Sequence, residues 1–336
     1  MSIDAIVLGE SRGPFRGAPL KPGDFVEARQ RLEAKPQATG EKLTTLSDAI
    51  RRVNDRDHIA IGGCLFSRTP LALLMEILRQ GRQGLTLSRN LMCYEGEWFM
   101  AAGAVEAVLT SWFGIGLPWG VSRILREKVE RGEVRFEEWS HLGLGLRYRA
   151  AAMGVPFLPT LTMLGSDLMA VTQAKTMQCP YTGKTLCLVP ALFPDVALLH
   201  VHRADRFGNC QIDGYPHMDP DIARAATTVL VTAEKIISEE EIRRHPGRTV
   251  VPGFVVDAVV EAPYGAFPHE CYGLYEADFE HFDKYVAGIK ARGIQGIRDY
   301  LDCYVYSPQS HQEYLALFGE DRLARMAGYA RELVGK

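Results

Sequence analysis

DHIAIGGCLFSRTPLALLMEILRQ, residues 57–80, is the stretch of sequence that decides the fold. Its first part contains a short apolar run, residues 59–61, that ends at Gly62 and Gly63, a pattern typical of a strand buried on both faces. Leucine and isoleucine then recur at helical spacing after Thr69 and Pro70, which fit a helix cap and a first helical residue. The stretch therefore predicts a strand, a Gly-Gly turn and a helix, the first half of a βαβ unit.

The Gly-Gly turn is also a candidate binding site. A helix N-terminus presents free N–H groups, which favour an anion or a carbonyl oxygen. We therefore take Gly62 and Gly63 as candidate substrate-binding residues, and Arg68 as a cation available for a substrate carboxylate. The alternative is that the two glycines only allow the chain to turn.

Composition limits the class of protein. The chain has 336 residues, 47% of them hydrophobic and 24% charged, and a net charge of -3, which argues against a nucleic-acid partner. Its apolar runs fall short of the roughly 20 residues of a membrane span, and the N-terminus lacks the pattern of a signal peptide. The seven cysteines show no CxxC spacing, which fits reduced thiols in the cytoplasm and suggests no metal site.

Strand and helix patterns alternate along most of the chain. This alternation predicts an α/β fold, an open and mostly parallel sheet with helices on both faces, followed by amphipathic helices in the last 60 residues. Residues 1–41 are rich in glycine, proline and charge, and we expect a poorly ordered arm, or one that lies on a partner. Residues 42–336 are then a single domain.

Two carboxylates and a histidine are the candidate catalytic groups. Glu95 and Glu97 bracket Gly96 in an expected acidic turn at the carboxyl end of a strand, where ligands of open α/β sheets bind, and Glu95 is the candidate base or nucleophile. The alternative is a solvated acidic turn. His141 follows Ser140, a good helix cap; an imidazole there is neutral near pH 7 and can donate to a carbonyl or accept a proton. The alternative is a surface histidine.

Two further loops are candidates for substrate contact. Gly116 lies in a glycine-rich turn, residues 114–120, that lets the backbone approach a ligand closely. Gly165 and Ser166 follow an apolar strand, and their free amides can hold an oxyanion. Loops shaped only for packing are the alternative in both cases. The sequence contains no Walker A, G-x-G-x-x-G, G-x-S-x-G or HExxH motif, so the usual nucleotide, hydrolase and zinc-protease classes lose their support.

Four segments together resemble a known family. They are DHIAIGG with Pro70 after it, RAAAMGVPFLP at 149–159, PDVALLHVHRADRFGN at 194–209 and VDAVVEAPYGAFPHECYGLY at 256–275. Over residues 42–319 the chain resembles the α subunit of family I coenzyme A transferases of the glutaconate CoA-transferase type. The resemblance implies the NagB/RpiA-like fold of that family, in which two homologous subunits face each other across the active site.

The resemblance also implies a chemistry. CoA moves from an acyl-CoA thioester to a free carboxylic acid through a glutamyl-CoA intermediate, with no permanently bound cofactor. In this family the nucleophilic glutamate is usually in a Ser-Glu-Asn-Gly-like turn of the β subunit, a sequence that this chain lacks. We therefore expect the partner to be a homologous β subunit, in a hetero-oligomer with no nucleic acid and no membrane involved.

Two departures leave alternatives open. Cys64 stands where the family pattern has phenylalanine after the two glycines. His141 stands near the position where ring-opening hydrolases of this fold have glutamate and the glutaconate type has glutamine. The alternatives are a CoA-thioester hydrolase or decarboxylase on the same fold, with His141 or Glu95 as acid or base, and a non-catalytic scaffold subunit.

Overall fold

The computed structural model describes residues 22–36, 40–116 and 118–334. Most of the predicted arm, residues 1–21 and 37–39, lies outside the described residues. The described part of the arm contains a helix that the sequence analysis missed, Pro22–Glu33. This helix packs Ala28 against Ala150 and Phe193, so its apolar side is buried against the body of the protein.

Helices surround the sheet and form the C-terminal part of the chain. Among the described residues, no helix combines the length and the apolar character that a membrane crossing needs. The α-helices are α1 Pro22–Glu33, α2 Leu46–Ile50, α3 Leu71–Arg79, α4 Tyr94–Ala101, α5 Arg123–Glu130, α6 His141–Met153, α7 Leu168–Val171, α8 Asp219–Ala225, α9 Glu239–Arg244, α10 Phe279–Arg292, α11 Ile294–Leu301, α12 His311–Ala316 and α13 Glu320–Val334.

The strands form two sheets in the described part of the chain. The larger sheet has ten strands and the smaller has three. The strands are β1 His58–Ile61, β2 Leu85–Met92, β3 Val105–Gly116, β4 Gly120–Val121, β5 Arg135–Glu138, β6 Phe157–Thr160, β7 Lys175–Gln178, β8 Thr185–Pro190, β9 Val196–Ala204, β10 Cys210–Gln211, β11 Thr228–Ile236, β12 Thr249–Val251 and β13 Ala258–Glu261.

The centre of the large sheet is parallel, as predicted. Its order is β13–β11–β9–β1–β2–β3–β5, and every pair in that row is parallel. Antiparallel strands extend it: β10 pairs with β9 and β12, and β4 pairs with the end of β3. Because the strands run parallel, their carboxyl ends meet at one edge, where sites of open α/β sheets form. The α/β prediction with C-terminal helices is confirmed.

The opening stretch folds as predicted except at its cap. The strand β1 is buried along its length and α3 buries most of its side chains, because both pack into the same apolar core. Thr69, however, does not cap α3; Pro70 is the residue before the helix, with no side-chain cap. The Thr69 hydroxyl instead bonds to the Nδ1 atom of His269 at 2.5 Å and accepts from Arg89 at 2.8 Å.

The expected acidic turn at residues 93–98 is wrong. It forms the first turns of α4, and Glu95 and Glu97 are both buried. Local acidity favours exposure in isolation, but here both carboxylates receive hydrogen bonds from other parts of the fold. Residues 175–190 form the hairpin β7–β8, and β6 pairs antiparallel with β8.

Candidate functional site

Several polar groups meet at the carboxyl edge of the parallel sheet. The Gly62–Gly63 turn follows β1, Asn90 lies near the end of β2, and His141 begins α6 after β5. The loop that leads from β10 to α8, residues 213–218, packs against the same edge through Met218. Because neighbouring strands bring these segments together from distant parts of the chain, this edge is the candidate active site.

The Gly-Gly turn is closed by Asp219, the first residue of α8. One carboxylate oxygen of Asp219 accepts from the Gly63 amide at 2.7 Å, and the other accepts from the Arg68 guanidinium at 2.6 Å. Asp219 and Arg68 are 0% and 1% exposed. Arg68 also donates to the carbonyl oxygen of Tyr215 at 3.1 Å.

The amides of this turn are therefore occupied within the protein. Gly62 donates to the carbonyl oxygen of Leu198, and the first amides of α3, Leu71 and Ala72, donate to Thr69 and Gly265. Contrary to the expectation for this turn, the amides of Gly62, Leu71 and Ala72 are not free, because backbone carbonyl oxygens accept their hydrogen bonds. Arg68 is also held by Asp219 and is not an unpaired cation. The turn is thus a rigid wall of the site.

Glu95 lies beneath the edge in a second buried ion pair. The Arg89 guanidinium donates to its Oε1 atom at 2.5 Å, and the Cys93 amide donates to the same oxygen at 2.9 Å. Glu95 and Arg89 are both 0% exposed. Its place in the first turn of α4 suits a carboxylate, because the helix N-terminus carries free amides. In this conformation Glu95 holds the end of β2 and does not face solvent.

Glu97 is held from two sides. Ser122 donates its hydroxyl to Oε1 at 2.5 Å, and Tyr285 donates its hydroxyl to Oε2 at 2.8 Å. Burial raises the pKa of Glu97 to about 7. This carboxyl group joins α4, α5 and α10, and its hydrogen bonds explain why an acidic side chain is stable inside the protein.

His141 is exposed at the rim. Ser140 caps α6 by accepting from the Gly143 amide, as expected, and the His141 Nδ1 atom lies 3.4 Å from the Ser111 hydroxyl. Partial burial lowers the pKa of His141, so the imidazole is neutral near pH 7 and can donate or accept one hydrogen bond.

Asn90 and His217 complete the rim and were missed by the sequence analysis. Asn90 is 5% exposed, and neither atom of its side-chain amide has a hydrogen-bond partner. His217 is half-buried, with a φ of 53° that residues other than glycine rarely adopt. Burial, together with the nearby Arg68 guanidinium, lowers the pKa of His217 to about 4.

The remaining predicted residues lie in two other loops. Gly116 ends β3 with a φ of 135°, and a Cβ atom there would lie 2.5 Å from the Phe66 ring, so the glycine is required for packing against the residue 62–70 segment. Gly165 has a φ of 77° with nothing near its Cβ position. Ser166 is exposed and donates its hydroxyl to the carbonyl oxygen of Met163 at 2.7 Å. The contact of Gly116, Gly165 and Ser166 with substrate stays a prediction.

Within residues 22–36, 40–116 and 118–334, two groups of buried or half-buried side chains have the residue types of a metal site. His200, Glu234 and Cys271 lie within ligand range of one another, as do Cys93, Glu95 and His269. In the first group Nε2 of His200 already bonds to Glu234 at 2.7 Å. In the second group the Arg89 guanidinium occupies the position of a cation beside Glu95. The first group is therefore part of an internal hydrogen-bond network, and the second contains a carboxylate that is already paired with a cation.

The sequence carried little information about the missed residues. Asp219 lies 156 residues from Gly63 and 151 residues from Arg68, which it contacts. A helix beginning at Asp219 is predictable from its pattern, but the pairing of this carboxylate with a distant turn is not. Asn90 follows a buried strand, and a polar residue at the carboxyl end of such a strand is a usable indicator of a site.

The fold and this edge define an α/β enzyme of the open-sheet class. A family model for coenzyme A transferase matches residues 43–262. The chain belongs to the coenzyme A transferase family. This confirms the resemblance drawn from the four sequence segments.

Individual relatives agree with the family. The chain is 35% identical to the A subunit of glutaconate CoA-transferase of Acidaminococcus fermentans, over 85% of this chain and 94% of the relative. It is 32% identical to the A subunit of 3-oxoadipate CoA-transferase of Pseudomonas knackmussii, over 84% of this chain and 99% of the relative.

Solved structures agree as well. The crystal structure of glutaconate CoA-transferase from Acidaminococcus fermentans matches with a TM-score of 0.80 at 35% identity, over 85% of this chain and 95% of that chain. The crystal structure of a variant of the decarboxylase AibA/AibB matches with a TM-score of 0.68 at 31% identity, over 78% of this chain and 98% of that chain.

Proposed function

We propose that this chain is the α subunit of a heteromeric CoA-transferase, which moves CoA between an acyl-CoA thioester and a free carboxylic acid. The family and the two relatives that are A subunits of CoA-transferases support the activity. The observation that supports a nucleophilic glutamate in the partner chain, and not in this chain, is the burial of Glu95 against Arg89. A carboxylate that is locked in a buried ion pair is a poor nucleophile, so the attacking glutamate belongs to a homologous β subunit.

The proposed reaction has four balanced steps. The partner's glutamate carboxylate attacks the thioester carbonyl and expels CoA thiolate, which leaves a mixed anhydride. The thiolate attacks the glutamyl carbonyl of the anhydride, releases the first acid and forms glutamyl-CoA. The acceptor carboxylate attacks glutamyl-CoA and expels the thiolate, and the thiolate then attacks the new acyl carbonyl and regenerates the glutamate. Each tetrahedral stage needs hydrogen-bond donors at its oxyanion.

The α subunit supplies one wall of this site. The wall is formed by Gly62 and Gly63, whose position is fixed by Asp219. His141 is the polar group of this chain that contacts the reacting carboxyl groups, since it is exposed at the rim and neutral near pH 7. Glu95 acts through Arg89 by holding the end of β2. CoA enters as a substrate, and no permanent cofactor is part of the proposal.

A second function on this fold has one observation in its favour. The similarity to the decarboxylase AibA/AibB extends over most of the chain. A decarboxylase or hydrolase acts on an acyl-CoA without an acceptor acid, whereas a transferase requires one. The dependence on acceptor therefore separates the two functions.

The test is reconstitution. The chain is expressed alone and together with a candidate β subunit, a homologous chain that carries a Ser-Glu-Asn-Gly-like turn, and transfer of CoA from acyl-CoA to acetate is followed by mass spectrometry. We expect transfer only from the complex and only with acetate present. Turnover by the complex without acetate contradicts the transferase proposal, and transfer by the single chain contradicts the need for a partner.

All seven cysteines are free thiols, which supports a reducing compartment such as the cytoplasm.

A further inference from the structure

Asn90 is a buried amide with no hydrogen-bond partner in the part of the chain that the structure describes. Both its Nδ2 and Oδ1 atoms lack partners, although the residue is only 5% exposed. Buried polar groups in native proteins are nearly always satisfied by protein, water or ligand. The neighbouring residue Arg89 points to the opposite face of the sheet, as successive strand residues do. Asn90 is therefore held in place without an internal partner of its own.

Three further polar groups lie in the segments that surround Asn90. The Ser111 hydroxyl donates to the main-chain carbonyl oxygen of Asn90 at 2.5 Å and lies 3.4 Å from His141 Nδ1. His217 immediately precedes Met218, and the Met218 side chain and the Asn90 amide both lie within 4 Å of the Cβ position of Gly145. We call this set of Asn90, Ser111, His141 and His217 the polar corner.

Gly145 allows the corner to form. A Cβ atom at this position would lie 2.6 Å from the Met218 methyl group and 3.7 Å from Asn90 Nδ2. The absence of a side chain lets Met218, next to His217, pack directly on α6. The loop that carries His217 is thereby held over the end of β2, beside the unpaired amide.

The polar corner contains no unpaired positive charge among the residues that the structure describes. The two arginines near it are paired with carboxylates, Arg68 with Asp219 and Arg89 with Glu95. Burial keeps His217 neutral at physiological pH by lowering its pKa, and partial burial does the same for His141. Neutral amide and imidazole groups both donate and accept hydrogen bonds, whereas tight recognition of a carboxylate usually uses an unpaired cation.

We propose that Asn90 and His217 are specificity-determining residues that hydrogen-bond an uncharged oxygen of the acyl chain, a carbonyl or a hydroxyl group. This proposal rests on the CoA-transferase function proposed above. It selects substrates with such an oxygen over equally long acyl chains that are purely apolar or that end in a carboxylate.

Three four-carbon probes test this selection. The reconstituted complex is assayed with acetoacetyl-CoA, butyryl-CoA and succinyl-CoA, with acetate as the common acceptor. We expect kcat/KM for acetoacetyl-CoA to exceed the other two values at least tenfold, because an unpaired polar site rejects substrates that leave it unpaired. Preference for succinyl-CoA or butyryl-CoA overturns the proposal. No transfer from any of the three overturns the CoA-transferase function itself, so the two failures are distinguishable.

Variants test whether Asn90 determines the preference among the three acyl-CoA substrates. Asn90→Leu, of nearly equal shape, is expected to lower the ratio of kcat/KM for acetoacetyl-CoA to kcat/KM for butyryl-CoA at least tenfold. Thr86→Val, on the same face of β2 and away from its carboxyl end, is the matched control and should change none of the values. An equal loss on all three substrates places Asn90 at the thioester carbonyl and contradicts a role in specificity. Thermal unfolding of the reconstituted complex, compared with the wild type, shows whether the variant is folded.

Discussion

The turn after β1 and the polar corner after β2 are neighbours with opposite properties. In the turn, Gly63 and Arg68 both bond to Asp219, and the groups involved are almost completely buried. In the corner, the Asn90 amide is unpaired and His141 is exposed. Satisfied buried networks give rigidity, whereas an unsatisfied buried polar group at a site needs a further partner, such as a water molecule or a ligand.

The difference assigns separate roles to adjacent segments. The glycine turn looks like a binding site from its sequence, yet its hydrogen bonds serve to fix the position of the sheet edge. The corner offers no recognisable motif, yet it holds the free donors and acceptors. Changes in the turn should therefore alter stability, and changes in the corner should alter activity.

The largest expected effect follows from removal of Asp219. Asp219→Ala leaves Arg68 buried without a counter-charge, and we expect the free energy of unfolding to fall by about 3–5 kcal/mol. Urea unfolding measures the change. Glu240→Ala, which breaks the exposed ion pair with Arg244, is the control and should shift the midpoint little. A small loss from Asp219→Ala would show that the turn does not depend on this pair.

A smaller effect separates two glycines that share a positive φ. Gly63 has a φ of 66°, and a Cβ atom there would clash with the carbonyl oxygens of Ser67 and Arg68. Gly165 has a φ of 77° and open space at its Cβ position. We expect Gly63→Ala to lower stability by more than about 2 kcal/mol and Gly165→Ala by about 1 kcal/mol. Equal losses would contradict the packing described for the turn.

Acid sensitivity should appear through His58, which is buried in β1. Burial lowers its pKa to about 3, below the ordinary value of about 6.5. Between these values the unfolded chain binds a proton that the folded chain does not, so stability falls as pH falls below about 6.5. At pH 5.5 we expect His58 to contribute a loss of about 1.4 kcal/mol.

The measurement compares unfolding curves of the wild-type protein and His58→Gln at pH 7.5 and 5.5. The variant should lose less stability over this interval than the wild type. His141→Gln, at the exposed rim, is the control and should follow the wild type closely. An unchanged pH dependence in His58→Gln would mean that His58 is not buried in the neutral form.

The smallest effect on stability is expected in the corner. His141→Ala should change the free energy of unfolding by less than about 0.5 kcal/mol, because the side chain is exposed. We expect kcat to fall about 100-fold or more, because the imidazole contacts the reacting groups in the proposed reaction. Thermal unfolding and steady-state kinetics of the reconstituted complex give the two values. A stability loss without a kinetic effect would reverse the roles assigned to the turn and the corner.

Much of the fold was predictable because it depends on local patterns. Local patterns of consecutive residues determine the apolar run of β1, the spacing in α3 and the Ser140 cap. The prediction for the acidic segment around Glu97 was wrong because one hydroxyl that stabilises it belongs to Tyr285, 188 residues away. Burial of a carboxylate is decided by such partners, which no local pattern contains.

The candidate site was predictable only in part, for the same reason. The rim position of His141 follows from a local cap and helix. The pairing of Arg68 depends on Asp219, which a later helix brings to the turn. The positions of His217 and Asn90 relative to each other depend on the close packing of Met218 on Gly145. This contact joins a loop and a helix that are separated in sequence.

The most direct test of the central claim is to trap the covalent intermediate. The reconstituted complex is incubated with acyl-CoA, treated with borohydride, which reduces a glutamyl-CoA thioester to an alcohol, and mapped by peptide mass spectrometry. We predict a modified glutamate on the partner chain, with every glutamate of this chain unmodified. Modification of Glu95, or of any other glutamate of this chain, would contradict the account.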